Sequence, residues 1–295
     1  GMKKVNPDDF TGVVLHTDLE KTISVHSSSA ELNQLIHNAL WGQKGNFLDV
    51  PTDCPQRDER LGWTGDSQVF ARTACMNMNA KLFYKKYTKD LRADQVRFYD
   101  GLLPAFSPSL EGSAREGGAV WADAGTIIPM CVYEEYGDQS QLADDYPLMK
   151  DYVEALIRND VESLGGSHLV SNRFTFGDWL AMDGMSSQSV KGGTDDVFIS
   201  SVYYMHSLSL VSKAAKILGK EEDAKRYANW SHDVKEAIAR EYFTPNGRLA
   251  LDTQTAYILA LHFHLVEDPS KVVECLKARL AKDGFRMKTG FTGTP

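Results

Sequence analysis

Residues 28–68 read SSAELNQLIHNALWGQKGNFLDVPTDCPQRDERLGWTGDSQ. The stretch divides into a helix, a long loop and the start of a second helix. Ser28-Ser29-Ala30-Glu31 is a capping-box signature, and Leu32, Leu35, Ile36 and Ala39 follow at the spacing of one apolar helix face. The segment 42–65 then loses that period. It is rich in charge, with Pro and Gly punctuation, and Asp66-Ser67 stands where helical spacing resumes.

Working outward, the same alternation continues. Helices are predicted near 66–82, 86–99, 122–136 and 140–158. A longer one is opened by Thr194-Asp195-Asp196 and stopped near Gly219. The next, 221–242, carries Tyr227, Trp230, Val234 and Ile238 on one stripe. Two more follow near 252–266 and 269–283, the last with Asp268 as cap, Pro269 at the first helical position and Gly284 as stop. The links near 42–65, 100–121, 159–193 and after 284 are long, those near 84, 137–139, 219–220 and 267–268 are short, and 244–248 is intermediate. In an antiparallel helical array, alternate links lie at opposite ends, so the long ones gather on one face. Long irregular loops in compact domains usually carry function. The alternation predicts an all-α toroid of helical hairpins, preceded by a short segment of β-like character within residues 1–26 (Phe10, Val13, Val14, Leu15 and Thr22–Val25).

Composition narrows the class of function. The 295 residues are 42% hydrophobic and 24% charged, as in ordinary globular proteins. Lys+Arg number 32 against 40 Asp+Glu, a net charge of −8, which argues against nucleic acid as the partner. No apolar run approaches the ~20 residues of a membrane-spanning helix. The four cysteines are scattered, with no CxxC, and read as free thiols. His262-Phe263-His264 on a helix would point its two rings about 200° apart, so no metal site is expected there. Phosphate-binding, dinucleotide-binding and serine-hydrolase motifs are missing from the sequence.

The densest chemistry lies in Asp53-Cys54-Pro55-Gln56-Arg57-Asp58-Glu59-Arg60-Leu61-Gly62-Trp63-Thr64-Gly65-Asp66. Four carboxylates, two arginines and a tryptophan there suit a sugar pocket better than a solvated loop, because an indole amid charges stacks on the apolar face of a sugar ring. Two later loops repeat the ingredients: Trp121-Ala122-Asp123 after Glu116-Gly117-Gly118, and Phe176-Gly177-Asp178-Trp179. Asp123 and Asp178 read equally well as helix-cap or turn residues, and either Trp as core. Carboxylates around an aromatic wall suggest glycosidic bond cleavage, in which an acid of raised pKa protonates the leaving oxygen. Glu59 is the leading acid and Asp58 the next. Asp53 and Asp66 would bind substrate hydroxyls and hold Glu59 protonated by like-charge repulsion.

These stretches resemble a known family. GNFLDVPTDCPQRDERLGWTGD (45–66), VWADAG (120–125), FGDWLA (176–181) and KTGFTGTP (288–295) are similar to the bacterial α-L-rhamnosidases, glycoside hydrolase family 78, and the similarity begins near Glu31. The resemblance implies an (α/α)6 barrel, hydrolysis of terminal α-L-rhamnose with inversion, and no cofactor. It implies Glu59 as general acid, Asp53, Arg57, Trp63 and Asp66 as rhamnose-binding residues, and Trp121 and Trp179 as aromatic walls; Asp123 and Asp178 complete the candidate pocket. It further implies a general base on a later loop. Six hairpins need twelve helices and nine are predicted, so residues 27–295 are expected to form an incomplete catalytic domain of little activity by itself, with residues 1–26 a remnant of a preceding β domain. A helical toroid acting on another sugar, and a helical carbohydrate-binding module without catalysis, are the alternatives.

Overall fold

A computed structural model describes residues 6–184, 186 and 188–295 of the chain. Residues 1–5 of the predicted N-terminal segment lie outside the described residues. Nine α-helices are found among the described residues: α1 (Ala30–Asn46), α2 (Thr64–Asn77), α3 (Lys81–Phe98), α4 (Ala124–Tyr136), α5 (Gln139–Leu164), α6 (Asp196–Ile217), α7 (Glu221–Tyr242), α8 (Gln254–His262) and α9 (Ser270–Lys282). A two-residue hairpin, β1 (Phe47–Leu48) against β2 (Val50–Pro51), follows α1. No helix among the described residues is long and apolar enough to cross a membrane.

The even-numbered helices form an inner row: α2 packs on α4, α4 on α6 and α6 on α8. The odd-numbered helices back them, with α5 on α4, α7 on α6 and α9 on α8. Sequence accounts for this division. The inner α4 and α6 have to satisfy neighbours on several sides and are apolar over most of their surface, burying among others Ile128, Met130 and Val132, and Phe198, Val202, Leu208 and Val211. The outer α7 buries one stripe, Ala224, Tyr227, Val234, Ala237 and Ile238, and leaves its charges in solvent. This is the predicted helical toroid, with inner and outer rings.

Helix ends follow local chemistry. Asp195 caps α6 by accepting from the Phe198 N–H at 2.8 Å, and its carboxylate also takes the Tyr242 hydroxyl at 2.7 Å. Asp268 accepts from the Ser270 N–H at 2.9 Å, but the N-cap of α9 is Pro269, so the helix begins one residue later than the predicted Asp268 cap and Pro269 start. At α1 the cap is Ser29, accepting from the Leu32 N–H at 3.2 Å, one residue later than the capping-box pattern suggests.

Two expectations fail. Residues 10–26 form no strand; they run extended, with a single bridge from Lys21 to Met78, and Phe10, Val13 and Leu15 are exposed. β-branched residues there lack a partner strand among the described residues, and a lone strand cannot satisfy its own backbone. The predicted inward face of α1 is also open: Leu32 is 44% and Leu35 63% exposed. What holds α1 is polar instead, the buried Gln43 donating to the Ala74 carbonyl at 3.1 Å and accepting from Asn77 at 3.0 Å.

The links that run from an outer to an inner helix share one end of the array and are stitched side to side. The Thr64 N–H donates to the Ala105 carbonyl and the Ser107 N–H to the Gly62 carbonyl, both at 2.9 Å. Ala119 bridges Thr175 in the next loop. That loop in turn accepts the Phe291 N–H at the Trp179 carbonyl (2.8 Å), and the Met182 N–H donates to Lys288 (2.9 Å). The long loops therefore gather on one face, as their alternation predicts.

Candidate active site

The first long loop brings its charged residues back onto the start of α2. The Asp53 N–H reaches the Leu61 carbonyl at 3.3 Å, closing the loop, and Arg60 takes a left-handed φ of 53° at the reversal. Glu59 thereby lies half-buried beneath Trp63, whose indole N–H donates to its Oε1. Ligating atoms of Asp53, Cys54 and Glu59 all fall within 4.8 Å of one another. Burial and the adjacent Asp53 carboxyl raise the Glu59 pKa, and the Trp63 N–H opposes that shift. The thiol of Cys54 is pushed up as well, chiefly by its contact with Asp53, which makes it a poor nucleophile or metal ligand.

Asp53 is mostly buried, with Arg57 4.0 Å from its Oδ2. Its Oδ1 is buried and accepts no hydrogen bond from the described residues. Asp66 stands in the first turn of α2 and opens into the same region. Its surface is exposed, yet desolvation by the surrounding protein, then the charge of Asp53, lifts its pKa to about 6 against the pull of its own backbone N–H. Asp53 and Asp66 share a recess of about 370 Å³ walled by Phe47, Phe70 and Phe291; Glu59 and Trp63 are not on its wall. Asp58, the second candidate acid, has a fully exposed side chain and pairs with Arg60 at 3.3 Å.

An aromatic cluster supports these groups from the neighbouring loops. Phe176 is its hub, 5.9 Å from Trp63, 4.5 Å from Trp121 and 5.8 Å from Trp179 between ring centroids. Phe291 stacks on Trp121 at 4.5 Å and 28°. Gly65 is required here, since a Cβ would stand 2.6 Å from the Trp121 ring. Trp121 is 4% exposed, so it braces Gly65 and the start of α2 and presents little free face. Trp63 and Trp179 are half-buried. Phe176 and Phe291 belong to the stretches FGDWLA and KTGFTGTP, but carry no sequence signal separating them from ordinary core phenylalanines.

Asp123 and Asp178 are placed differently from the pocket role predicted for them. Asp123 points into the helical core, where its carboxylate accepts from the Val120 N–H (2.8 Å), the Ser207 hydroxyl (2.5 Å) and the Tyr152 hydroxyl (3.3 Å). Burial outweighs those donors and raises its pKa to about 6. Asp178, fully buried, accepts from the Thr255 hydroxyl at 2.5 Å and from the N–H groups of Gly290, Thr292 and Gly293 at 3.1, 2.9 and 3.3 Å. Both carboxylates have their acceptor capacity filled by protein and serve as fasteners, the turn-residue alternative. Asp178 ties Gly290, Thr292 and Gly293 to the loop face, alongside the Phe291 N–H on the Trp179 carbonyl.

Residues 20–295 match the family model described as the bacterial alpha-L-rhamnosidase 6 hairpin glycosidase domain. An alpha-L-rhamnosidase of Streptomyces avermitilis is 36% identical over 294 residues, covering 99% of this chain and 27% of the relative. The crystal structure of a Streptomyces avermitilis alpha-L-rhamnosidase complexed with L-rhamnose superposes with a TM-score of 0.83 at 34% identity, over 95% of this chain and 26% of that one. That of the native enzyme from Aspergillus terreus gives 0.85 at 32% identity, over 95% and 32%. The chain thus spans about a third or less of the length of these relatives.

Proposed function

The chain belongs to the bacterial α-L-rhamnosidase six-hairpin glycosidase family, and from that premise we propose that residues 27–295 are the acid-bearing part of an enzyme hydrolysing terminal α-L-rhamnose from glycosides. The observation that carries this reading is Glu59: a carboxyl with raised pKa, half-buried on the loop face, beside a second carboxyl and under an indole. A carboxyl whose pKa is raised holds its proton more firmly than an ordinary carboxylate and is the better donor to the departing glycosidic oxygen. The Trp63 N–H holds that acid in place and stabilises the carboxylate left after transfer.

Asp53, Arg57 and Asp66 are assigned to the sugar hydroxyls. The buried Oδ1 of Asp53, an acceptor with no donor, supports this, because burying such an atom unpaired costs about 1–3 kcal/mol that a substrate hydroxyl would return. Trp63 and Trp179 offer indole surface to the apolar side of the ring, and Trp121 supports them from behind. The crystal structure of a relative holding L-rhamnose supports that sugar as ligand.

An inverting reaction places a water between acid and base, with the carboxyls roughly 6.5–9.5 Å apart. Asp53, with an oxygen inside 4.8 Å of Glu59, is too near for that role. We therefore assign the base to no carboxylate described above and expect it from elsewhere in the enzyme, so that residues 1–295 alone turn over slowly. In an enzyme of the relatives' full length, Glu59→Gln should lower kcat/KM on an aryl α-L-rhamnoside by about 10²–10⁴-fold, with Asp58→Asn near wild type. Robust turnover by the isolated chain would overturn the assignment of the base, and undiminished activity of Glu59→Gln would overturn that of the acid.

A further inference from the structure

The long loops place one arginine where nothing else in the protein answers its charge. The Ala105 N–H donates to the Arg115 carbonyl at 2.9 Å and Pro104 bridges Glu116, so Arg115 belongs to the backbone patch that also holds Gly62 and Thr64 at the start of α2. Its guanidinium, on an exposed side chain, lies over the Phe174 ring, 3.6 Å from the centroid and 6.0 Å from that of Phe176. Those two rings meet edge to face at 4.8 Å and 85°, so the arginine is braced against an aromatic corner. Lys191 approaches Phe174 as well, its Nζ 5.7 Å from the centroid. The neighbouring cations have carboxylate partners, Arg173 in Glu116 and Lys191 in Asp196. Arg115 has none among the described residues, although the chain carries a net charge of −8.

We propose that Arg115 on Phe174 is a leaving-group subsite that takes the carboxylate of a uronic acid bearing the terminal rhamnose. The inference rests on the reading of Glu59 as the acid. A general acid protonates the departing oxygen, so the leaving group lies on the Glu59 side of the scissile bond. From there the aromatic surface runs outward: Trp63, which covers Glu59, stands 5.9 Å from Phe176, and Phe176 leads to Phe174. A sugar joined to the rhamnose can follow this surface, its apolar face over Phe176 and its acidic group toward Arg115. Stacking leaves the guanidinium donors at the edge of the plane free, and their planar fork matches a carboxylate bidentately. The rings also hold the side chain in place beforehand, so less rotamer freedom is lost when the anion binds.

In an enzyme of the relatives' full length, two substrates that differ only in charge test the subsite: an α-L-rhamnosyl-D-glucuronic acid and its methyl ester. The acid is expected to be cleaved with a kcat/KM about three- to tenfold above that of the ester, through a lower KM, and the advantage should shrink as salt is added. Arg115→Gln should bring the ratio to about one, while Arg115→Lys should keep part of it. In the isolated chain, the Arg115 Nε–H resonance should shift on adding glucuronate and not on adding glucose, which reads the site without turnover or any variant. Equal cleavage of acid and ester by the wild type, a preference that survives in Arg115→Gln, or an Nε–H shift of the same size with both sugars would each overturn the subsite. The fate of Glu59 is read separately. Loss of activity in Glu59→Gln with no preference for the acid substrate removes the subsite alone, and full activity in Glu59→Gln with the preference intact removes the assignment of Glu59 alone.

Discussion

Two sets of carboxylates stand near tryptophans in the sequence and are satisfied by the protein to different degrees. Glu59 and Asp53 in the first loop and Asp66 in the first turn of α2 have protonation or hydrogen bonding left incomplete by the protein: a raised acid, an acceptor without donor and a second raised acid. Asp123 and Asp178 in the later loops have every near donor aimed at them. The difference lies in what surrounds each carboxylate rather than in its neighbours in sequence. A group reserved for a ligand is under-satisfied by the fold and costs stability; one satisfied by backbone N–H groups holds the fold together.

The strongest test of that contrast is Asp178→Ala. Removing this carboxylate leaves the Thr255 hydroxyl and the N–H groups of Gly290, Thr292 and Gly293 without an acceptor in a buried site, at about 1–3 kcal/mol each. Relief of the carboxylate's own desolvation offsets part of this, so urea unfolding should show a loss of about 3–4 kcal/mol, with early hydrogen exchange in residues 288–294. A loss under about 1 kcal/mol would place Asp178 with the first group.

A smaller effect is expected for Trp63→Phe, which keeps an aromatic ring but removes the N–H on Glu59. Because that N–H favours the charged carboxylate, its loss should raise the Glu59 pKa further. Carbon-detected NMR titration of Glu59 in this chain would read the shift directly. In the full-length enzyme the alkaline limb of the kcat/KM profile should move to higher pH, with a rate loss of about tenfold or less. A downward shift would mean that the indole acts on Glu59 through something other than this hydrogen bond.

The fold was largely legible because two physical signals, helical period and link length, recur along the whole chain. The cap at Asp195, the stripe on α7 and the gathering of long loops all follow from them. The candidate site stood out where charge density itself is the signal, in residues 53–66. It did not where Trp–Asp adjacency stands in for function: nothing near Asp178 in sequence reveals that Gly290, Thr292 and Gly293, more than a hundred residues away, bring it their N–H groups. The same distance hides Phe291 against Trp121. Nor does local pattern distinguish the apolar face of α1 from one that is packed, since periodicity reports what a helix can bury and not what is there to bury it.

The finest test turns on sign. Asp66 has its pKa raised to about 6 in the folded chain, against about 3.9 for an unperturbed aspartate. Between those values the folded state keeps a proton that the unfolded state has released, so the stability tied to protonated Asp66 is full below about pH 4 and is lost as pH climbs to about 6. Asp66→Asn removes this dependence. Asp123 and Asp145, also raised to about 6, titrate in both proteins and cancel from the comparison. The variant's advantage over wild type should therefore grow from pH 4 to 6 and then level off. Because the carboxylate opens into the recess, solvent screening keeps the gain modest. A gain for Asp66→Asn beside a loss for Asp178→Ala would place the two carboxylates on opposite sides of the stability balance, the expected mark of a group held for a ligand against one held for the fold. A difference flat with pH would show that Asp66 ionises as it would in water, leaving Glu59 as the raised acid of this group beside Asp53, the acceptor without a donor.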